Sequence, residues 1–312
     1  MQGFTLQTQK FGTVQAIMKA ALLTDRSVLR ITGEPARGFL NNLVTGDIEQ
    51  LTPGAARYAA LLTPQGKIIA DFLVVEAPAH DGGGFFIDCP KALAAELAQK
   101  LNFYKLRAKV TIEPIDAFSV LAAWDGDGTS EYGLLYRDPR LPALGLRAII
   151  PSDLVAETAA DLGATLVDAS EYEAHRIALG VPRGGVDFIY GDTFPHDADL
   201  DKLNGIDFKK GCYVGQEVVS RVEHRGTARN RIVPVAFENF AAENGLAVMA
   251  GDKTIGTMGS SAGKQGLAML RVDRVAEAID AGTPLSAGGI TLTMRESAVA
   301  DFLAQARAKA AG

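Results

Sequence analysis

Apolar and polar positions follow two short periods along the chain. Ser27-Val28-Leu29-Arg30-Ile31 alternates and stops at Thr32-Gly33, which predicts a strand. Glu34-Pro35 then opens a predicted helix through Phe39, Leu40, Leu43 and Val44, ended by Gly46-Asp47. Arg57 to Thr63 and Ile68 to Glu76 are strands around the turn Pro64-Gln65-Gly66-Lys67, so they form a hairpin. Gly82-Gly83-Gly84 is a flexible tip before the strand Phe85 to Asp88. Lys91 to Leu101 has helical spacing, and Val110 to Ile112 is a strand.

The pattern then starts afresh. Ser119 to Trp124 and Leu146 to Ile150 read as strands, with the turn Asp125-Gly126-Asp127-Gly128 between them. Ser152-Asp153 caps a helix through Leu162, and Asp168 to Leu179 is another helix. Short hairpins with helices between them predict an α+β architecture over a doubly wound parallel sheet. From about Arg231 the texture changes to short strands at Ile232 to Phe237, Ala247 to Ala250, Lys253 to Met258, Gly266 to Val272 and Ile290 to Met294. They predict a small β-barrel or sandwich of about 80 residues. A short Ala-rich helix, or a frayed tail, is expected from Ser297. The expected domains are residues 1–230, in two α+β halves at about 20–115 and 116–230, and residues 231–312.

Composition narrows the function classes. A length of 312 residues suggests roughly two domains, and 47% hydrophobic with 22% charged residues excludes disorder. The net charge of −6, from 31 Lys+Arg against 37 Asp+Glu, argues against a DNA coat or a polybasic membrane binder. No apolar run approaches the roughly 20 residues of a spanning helix. Val14 to Leu23 is broken by Gln15 and Lys19, so no secretion signal is expected. Two cysteines, Cys89 and Cys212, fit a reducing compartment. The expected address is a bacterial cytoplasm, or an organelle matrix such as the mitochondrial one after removal of a transit peptide.

Several motif matches fail on context. Gly259-Ser260-Ser261-Ala262-Gly263 fits a nucleophile elbow, but a strand-like run follows where a helix is required. The P-loop hint at Gly263-Lys264 has Gln265 in place of the Mg²⁺-holding hydroxyl. Asp197, Asp199 and Asp201 imitate an EF-hand start, but Lys202 and Phe208 occupy the turn-glycine and bidentate-Glu positions; a solvated acidic loop is expected. Four histidines, at 80, 175, 196 and 224, lack metal-ligand spacing. Arg221, Arg225, Arg229 and Arg231 form a basic cluster that reads as a solvated face or a phosphate grip. With no aromatic motif beside it, RNA is disfavoured.

One stretch is dense in reactive chemistry: Lys209-Lys210-Gly211-Cys212-Tyr213-Val214-Gly215-Gln216-Glu217, with Arg221 behind it. Two lysines precede the thiol, and a helix start at Gly215-Gln216 follows; both features favour a thiolate. The alternative is a small packed hydrophobe, as free cysteines often are. The flanking glycines and charges tilt the reading toward function.

Lys-Gly-Cys-Tyr-x-Gly-Gln-Glu, at Lys210 to Glu217, resembles the signature of the YgfZ family, folate-binding proteins of iron–sulfur cluster assembly or repair. That family is related to the aminomethyltransferase (T-protein) of glycine cleavage. Ile31-Thr32-Gly33 through Thr45-Gly46-Asp47, Leu61 to Asp71, Tyr104 to Val110, Arg176 to Pro182 and Phe194 to Leu200 agree in order, so the resemblance covers roughly residues 25–295. It implies an aminomethyltransferase-like fold whose faces enclose a channel, with a C-terminal β-barrel. It also implies a tetrahydrofolate ligand, or a one-carbon derivative, and iron–sulfur client or assembly proteins as partners of a monomer. Cys212 would be the reactive group. Lys210, Gly211, Tyr213, Gly215, Gln216, Glu217, Arg221, Asp71, Tyr58 and Arg176 would meet the folate, with Lys210 and Arg221 on its glutamate tail. The transferases carry Asp-Asp where this chain has Ala70-Asp71, and a folate-contacting Glu where it has Ala178. They also lack the Cys motif. A folate-dependent aminomethyl or one-carbon transferase is therefore the second reading. A binding module without chemistry is the third.

Overall fold

The computed structural model describes residues 17–79, 82–226, 228–295, 300 and 303–304. Two five-stranded sheets and a closed six-stranded barrel make up the fold. The first sheet runs, edge to edge, Ala56–Leu62, Ile68–Glu76, Phe85–Pro90, Arg26–Thr32 and Thr111–Pro114. All its pairings are antiparallel, and the hairpin pairs Tyr58 with Leu73 and Ala60 with Asp71.

The second sheet runs Thr165–Leu166, Lys19–Leu22, Phe118–Trp124, Leu146–Pro151 and Leu134–Arg137. Its second strand departs from the expected division at about residue 20. Lys19–Leu22 pairs with Phe118–Trp124, so the chain enters through the second half before building the first. Three or four residues carry too little pattern to announce a strand, which is why this one, Leu134–Arg137 and Leu285–Ala287 were not legible.

The two sheets pack face to face. One core cluster joins Val28, Tyr58, Val75 and Phe86 of the first sheet to Val120, Ala122, Trp124 and Ile149 of the second. Alternate residues point outward and are buried as well. Leu29, Ile31 and Phe72 lie under helices Ala36–Asn41 and Ala94–Tyr104, whereas Leu121 and Ala148 lie under helix Val155–Asp161. Burial on both faces explains why strands such as Phe118–Trp124 read as nearly continuous apolar runs.

The barrel orders Asn230–Phe237, Gln265–Arg271, Lys253–Ala262, Ala247–Ala250, Leu285–Ala287 and Ile290–Met294. A helix at Val272–Asp280, absent from the expectation, turns Val272, Val275 and Ala276 into its core. The helix expected from Ser297 falls almost wholly outside the described residues.

Candidate functional site

Cys212 is exposed at the tip of a strapped loop. Thr45 holds the start of the strap: its carbonyl accepts from Asp207 N at 2.9 Å and its hydroxyl donates to Gly205 O at 2.5 Å. The Asp207 carboxylate then accepts from the backbone N–H groups of Lys209 and Lys210 at 2.8 and 2.9 Å, an Asx turn that aims the next residues. Lys210 turns inward. Its ammonium donates to the carbonyls of Asn41, Val44 and Gly46 at 2.7, 2.8 and 2.7 Å. These include the free carbonyl end of helix Ala36–Asn41, where a cation is favoured. Burial pushes the Lys210 amine down to about 8.

On the other side of Cys212, Tyr213 is buried in the inter-sheet core. Gly215 follows with φ 82°, and a Cβ there would lie 2.7 Å from Thr63 O. Gly66, at the hairpin turn, sits against Val218. A turn that close to the chain admits only glycine. Helix Gln216–Arg225 starts at this junction, as the sequence suggested. The two blocks around Gly66-Lys67 and Cys212-Gly215 therefore meet in space. Gln216 and Glu217 form the first turn, and Glu217 accepts from Arg221 at 2.7 Å on the exposed face.

These contacts revise two sequence expectations. All three protons of Lys210 are taken by carbonyls, so it clamps the loop and has none left for a glutamate carboxylate. Arg176 is a joint between domains. Its five N–H donors reach Glu173 twice, Val181 O, Asp187 and Ser260 of the barrel strand, all at 2.7–2.9 Å.

Asp71 lies deeper. Its two oxygens accept from Tyr58 Oη at 2.9 Å and from Tyr190 Oη. Burial and the Asp71 charge push both phenols above their ordinary value. Tyr190 was not singled out in the sequence; only its aromatic type near Phe194-Pro195 hinted at it.

Between the sheets lies a charged layer that the sequence reading also missed. Asp88 accepts from Arg26 Nε at 2.5 Å and from Arg147 Nη1 at 2.7 Å. Asp138 accepts from Arg147 Nε at 2.9 Å and from Arg140 Nη2 at 2.6 Å. Burial would raise both carboxyls, but the guanidiniums hold them below the ordinary carboxylate range. The layer touches the Asp71 group where Arg140 lies over the Tyr58 ring, 5.7 Å from its centre. It also lines a cavity of about 160 Å³, whose walls carry Arg26, Arg140, Arg147, Arg176 and Arg183 together with the carboxylates of Asp25 and Glu173.

The acidic run is not a solvated loop. Asp199 and Asp201 are drawn under Arg231, which contacts them at 3.3 and 2.6 Å. Of the basic cluster, Arg231 is buried, while Arg221, Arg225 and Arg229 are exposed. One group of possible metal ligands occurs among the described residues: His196, Asp201 and Glu223 bring ligand atoms within 4.8 Å of one another. Both Asp201 oxygens already accept from Arg231, so this group is built as an ion pair. Ser261 of the elbow-like motif lies on a barrel strand, and its hydroxyl donates to Ala242 O at 3.4 Å.

The two packed sheets and the appended barrel define an aminomethyltransferase-like fold. The glycine cleavage aminomethyltransferase of Bartonella henselae superposes with a TM-score of 0.71 over 90% of this chain and 86% of that one, at 16% identity. The GCVT N-terminal domain model matches residues 12–122, and the CAF17 C-terminal beta-barrel domain model matches residues 229–301. Within that fold, the chain belongs to the family of iron-sulfur cluster assembly factor IBA57. The human mitochondrial IBA57 is 31% identical over 278 residues, covering 81% of this chain and 77% of the human protein. The mitochondrial homolog from Mycosarcoma maydis is 32% identical over 248 residues, which are 75% of this chain and 61% of that protein. That of Pyricularia oryzae is 34% identical over 232 residues, 72% of this chain and 59% of the relative. The chain thus spans about three fifths of these fungal relatives. Among the described residues, no helix is long and apolar enough to cross a membrane.

Proposed function

We propose that this protein binds tetrahydrofolate and acts in the assembly or repair of iron–sulfur clusters in client proteins, with Cys212 as its working group. The observation that carries this reading is the exposed thiol on a loop fixed at both ends, by Lys210 on one side and buried Tyr213 on the other. A packing cysteine needs neither clamp nor exposure. Cys212 supplies one thiolate ligand to the iron of a cluster in transit. One thiolate is too few for a stable cluster, which takes about four ligands, so the partner or client furnishes the rest. The names of the IBA57 relatives support the same activity class.

Tests of fit for the folate divide the site. In the cavity, Arg183 at the wall is the arginine left partly exposed to meet an anionic end, beside the carboxylates of Asp25 and Glu173; about 160 Å³ is below the roughly 300 Å³ at which ligand pockets begin, so the cavity takes part of a folate. The polar edge of a pterin would meet the Asp71, Tyr58 and Tyr190 group beside it. Bound folate would supply a redox-active or one-carbon-carrying ring. The protein's own contribution is to orient it and to keep Cys212 accessible. The second reading, an aminomethyl or one-carbon transferase, would load acid–base work onto Asp71, whose two oxygens are both occupied by tyrosines.

The decisive test compares wild type with Cys212→Ala in a strain lacking this gene. Wild type is expected to restore iron–sulfur enzyme activity and Cys212→Ala to fail; full rescue by the variant would remove the thiol role. Calorimetry with tetrahydrofolate checks the ligand, and no heat at millimolar concentration would remove it. Turnover of an aminomethyl donor by the purified protein would favour the transferase.

A further inference from the structure

Phe103 and Leu106 are large apolar side chains left 75% and 85% exposed. They stand at the end of helix Ala94–Tyr104 and in the turn behind it. Leu106 has φ 46°, a left-handed backbone that non-glycine residues seldom adopt. Such outliers gather at functional sites. The charge there is one-sided. Residues 97–112 contain Lys100, Lys105, Arg107 and Lys109 and no carboxylate, in a chain of net charge −6. Lys100 pairs with Glu96 at 3.5 Å; Arg107 and Lys109 are exposed and have no carboxylate partner among the described residues.

This tip is linked to the Cys212 loop through a short chain of contacts. The turn at Gly33 lies against the carbonyl of Lys109. Helix Ala36–Asn41 rises from that turn, and Lys210 clamps its far end. Tyr104 and Val214 also pack on the same core cluster.

We propose that the Phe103–Lys109 tip is the docking surface for an acidic protein that exchanges cargo with Cys212. The proposal rests on the reading of Cys212 given above. An aromatic anchor beside arginine is the composition of a protein interface core. A membrane surface would need a broad apolar helix face, and the outward positions of Ala94–Tyr104 include Glu96, Gln99 and Asn102. An RNA would stack on rings, which Leu106 does not offer.

Leu106→Gly removes the side chain and relaxes the backbone, so it separates docking from folding. Its melting temperature is expected to equal or exceed that of wild type. In the deletion strain, Leu106→Gly and the pair Arg107→Glu/Lys109→Glu are expected to lower iron–sulfur enzyme activity by about tenfold. Benzoylphenylalanine placed at Phe103 and irradiated in those cells is expected to give an adduct on a carboxylate-rich protein segment. Full activity in both variants, with Cys212→Ala inactive, overturns the docking surface and leaves the cysteine reading standing. Rescue by Cys212→Ala as well overturns both. A nuclease-sensitive adduct, or binding to phosphatidylglycerol vesicles that both variants lose, overturns the protein partner in favour of RNA or a membrane.

Discussion

Cys89 and Cys212 each follow closely on a charged residue, and the fold treats them in opposite ways. Cys89 comes directly after Asp88 in a strand of the inter-sheet layer. It is fully buried, and its thiol donates to Ser27 O at 3.6 Å. Burial pushes that thiol up to about 12. Cys212 follows Lys210 by two residues and is exposed. In the first region charge is neutralised by opposite charge to hold two sheets together. In the second a buried ammonium serves only backbone carbonyls, so that its neighbour can stay outside. Burial of the thiol itself, not proximity of a charge, separates a structural cysteine from an available one.

The largest effect expected from this contrast is in alkylation. At pH 8 a thiol titrating at about 12 is ionised in roughly one molecule in 10⁴. Iodoacetamide on the native protein should modify Cys212 completely and Cys89 only after denaturation, read by peptide mass spectrometry. Equal labelling would erase the distinction.

Next comes the charged layer itself. Arg147→Met removes the guanidinium shared by Asp88 and Asp138 and leaves two buried carboxylates short of a partner. Breaking such a pair costs about 3–5 kcal/mol, measurable by urea unfolding. The pH dependence has a definite sign. Asp88 and Asp138 titrate below their unfolded value of 3.8, so their contribution is complete above that value and is lost as pH falls through the lower folded one. Wild type should lose stability below about pH 4, and Arg147→Met should show less of that acid-dependent loss.

The same layer shows what was readable beforehand. Asp88 ends Phe85-Phe86-Ile87-Asp88, and Arg147 interrupts Leu146-Arg147-Ala148-Ile149-Ile150. Isolated opposite charges inside two apolar runs were a signal that these strands face each other. Nothing local tells which charge meets which, because the partners are 59 residues apart. The hairpin strand Ile68–Glu76 was legible to the residue, since its alternation and turn are local. That Cys212 is more than a packing residue was hinted at too, by the glycines and charges around it. The duty of Lys210 was not, because the carbonyls it meets lie more than 160 residues away. Tyr190 on Asp71, 119 residues apart, was hidden for the same reason.

A smaller effect is expected at the Cys212 loop. Lys210→Met keeps the aliphatic stem and removes three charged hydrogen bonds. The buried carbonyls of Asn41, Val44 and Gly46 lose a shared donor, so the loss should be about 2–3 kcal/mol. The functional loss should exceed the stability loss, because the loop carrying Cys212 is released. Amide hydrogen exchange should rise in residues 207–215 and stay unchanged in the strand Phe85–Pro90. If exchange rises in both regions alike, Lys210 supports the whole first sheet and is no local clamp.

Arg221→Ala should have the smallest effect and discriminates most finely. Arg221 and Glu217 are 54% and 85% exposed, four residues apart on one helix face. Such a pair contributes about 0.3–0.5 kcal/mol, so the melting curve should hardly move. Folate binding gives the second readout. If the arginine-lined cavity takes the anionic end of the ligand, tetrahydrofolate affinity in Arg221→Ala should equal that of wild type. Arg183→Ala, at the cavity wall and 36% exposed, should weaken it. A tenfold loss in Arg221→Ala alone would move the glutamate tail out of the cavity and onto the helix behind Cys212. It would then restore to Arg221 the role that the sequence motif suggested, in place of the proposed contact at Arg183.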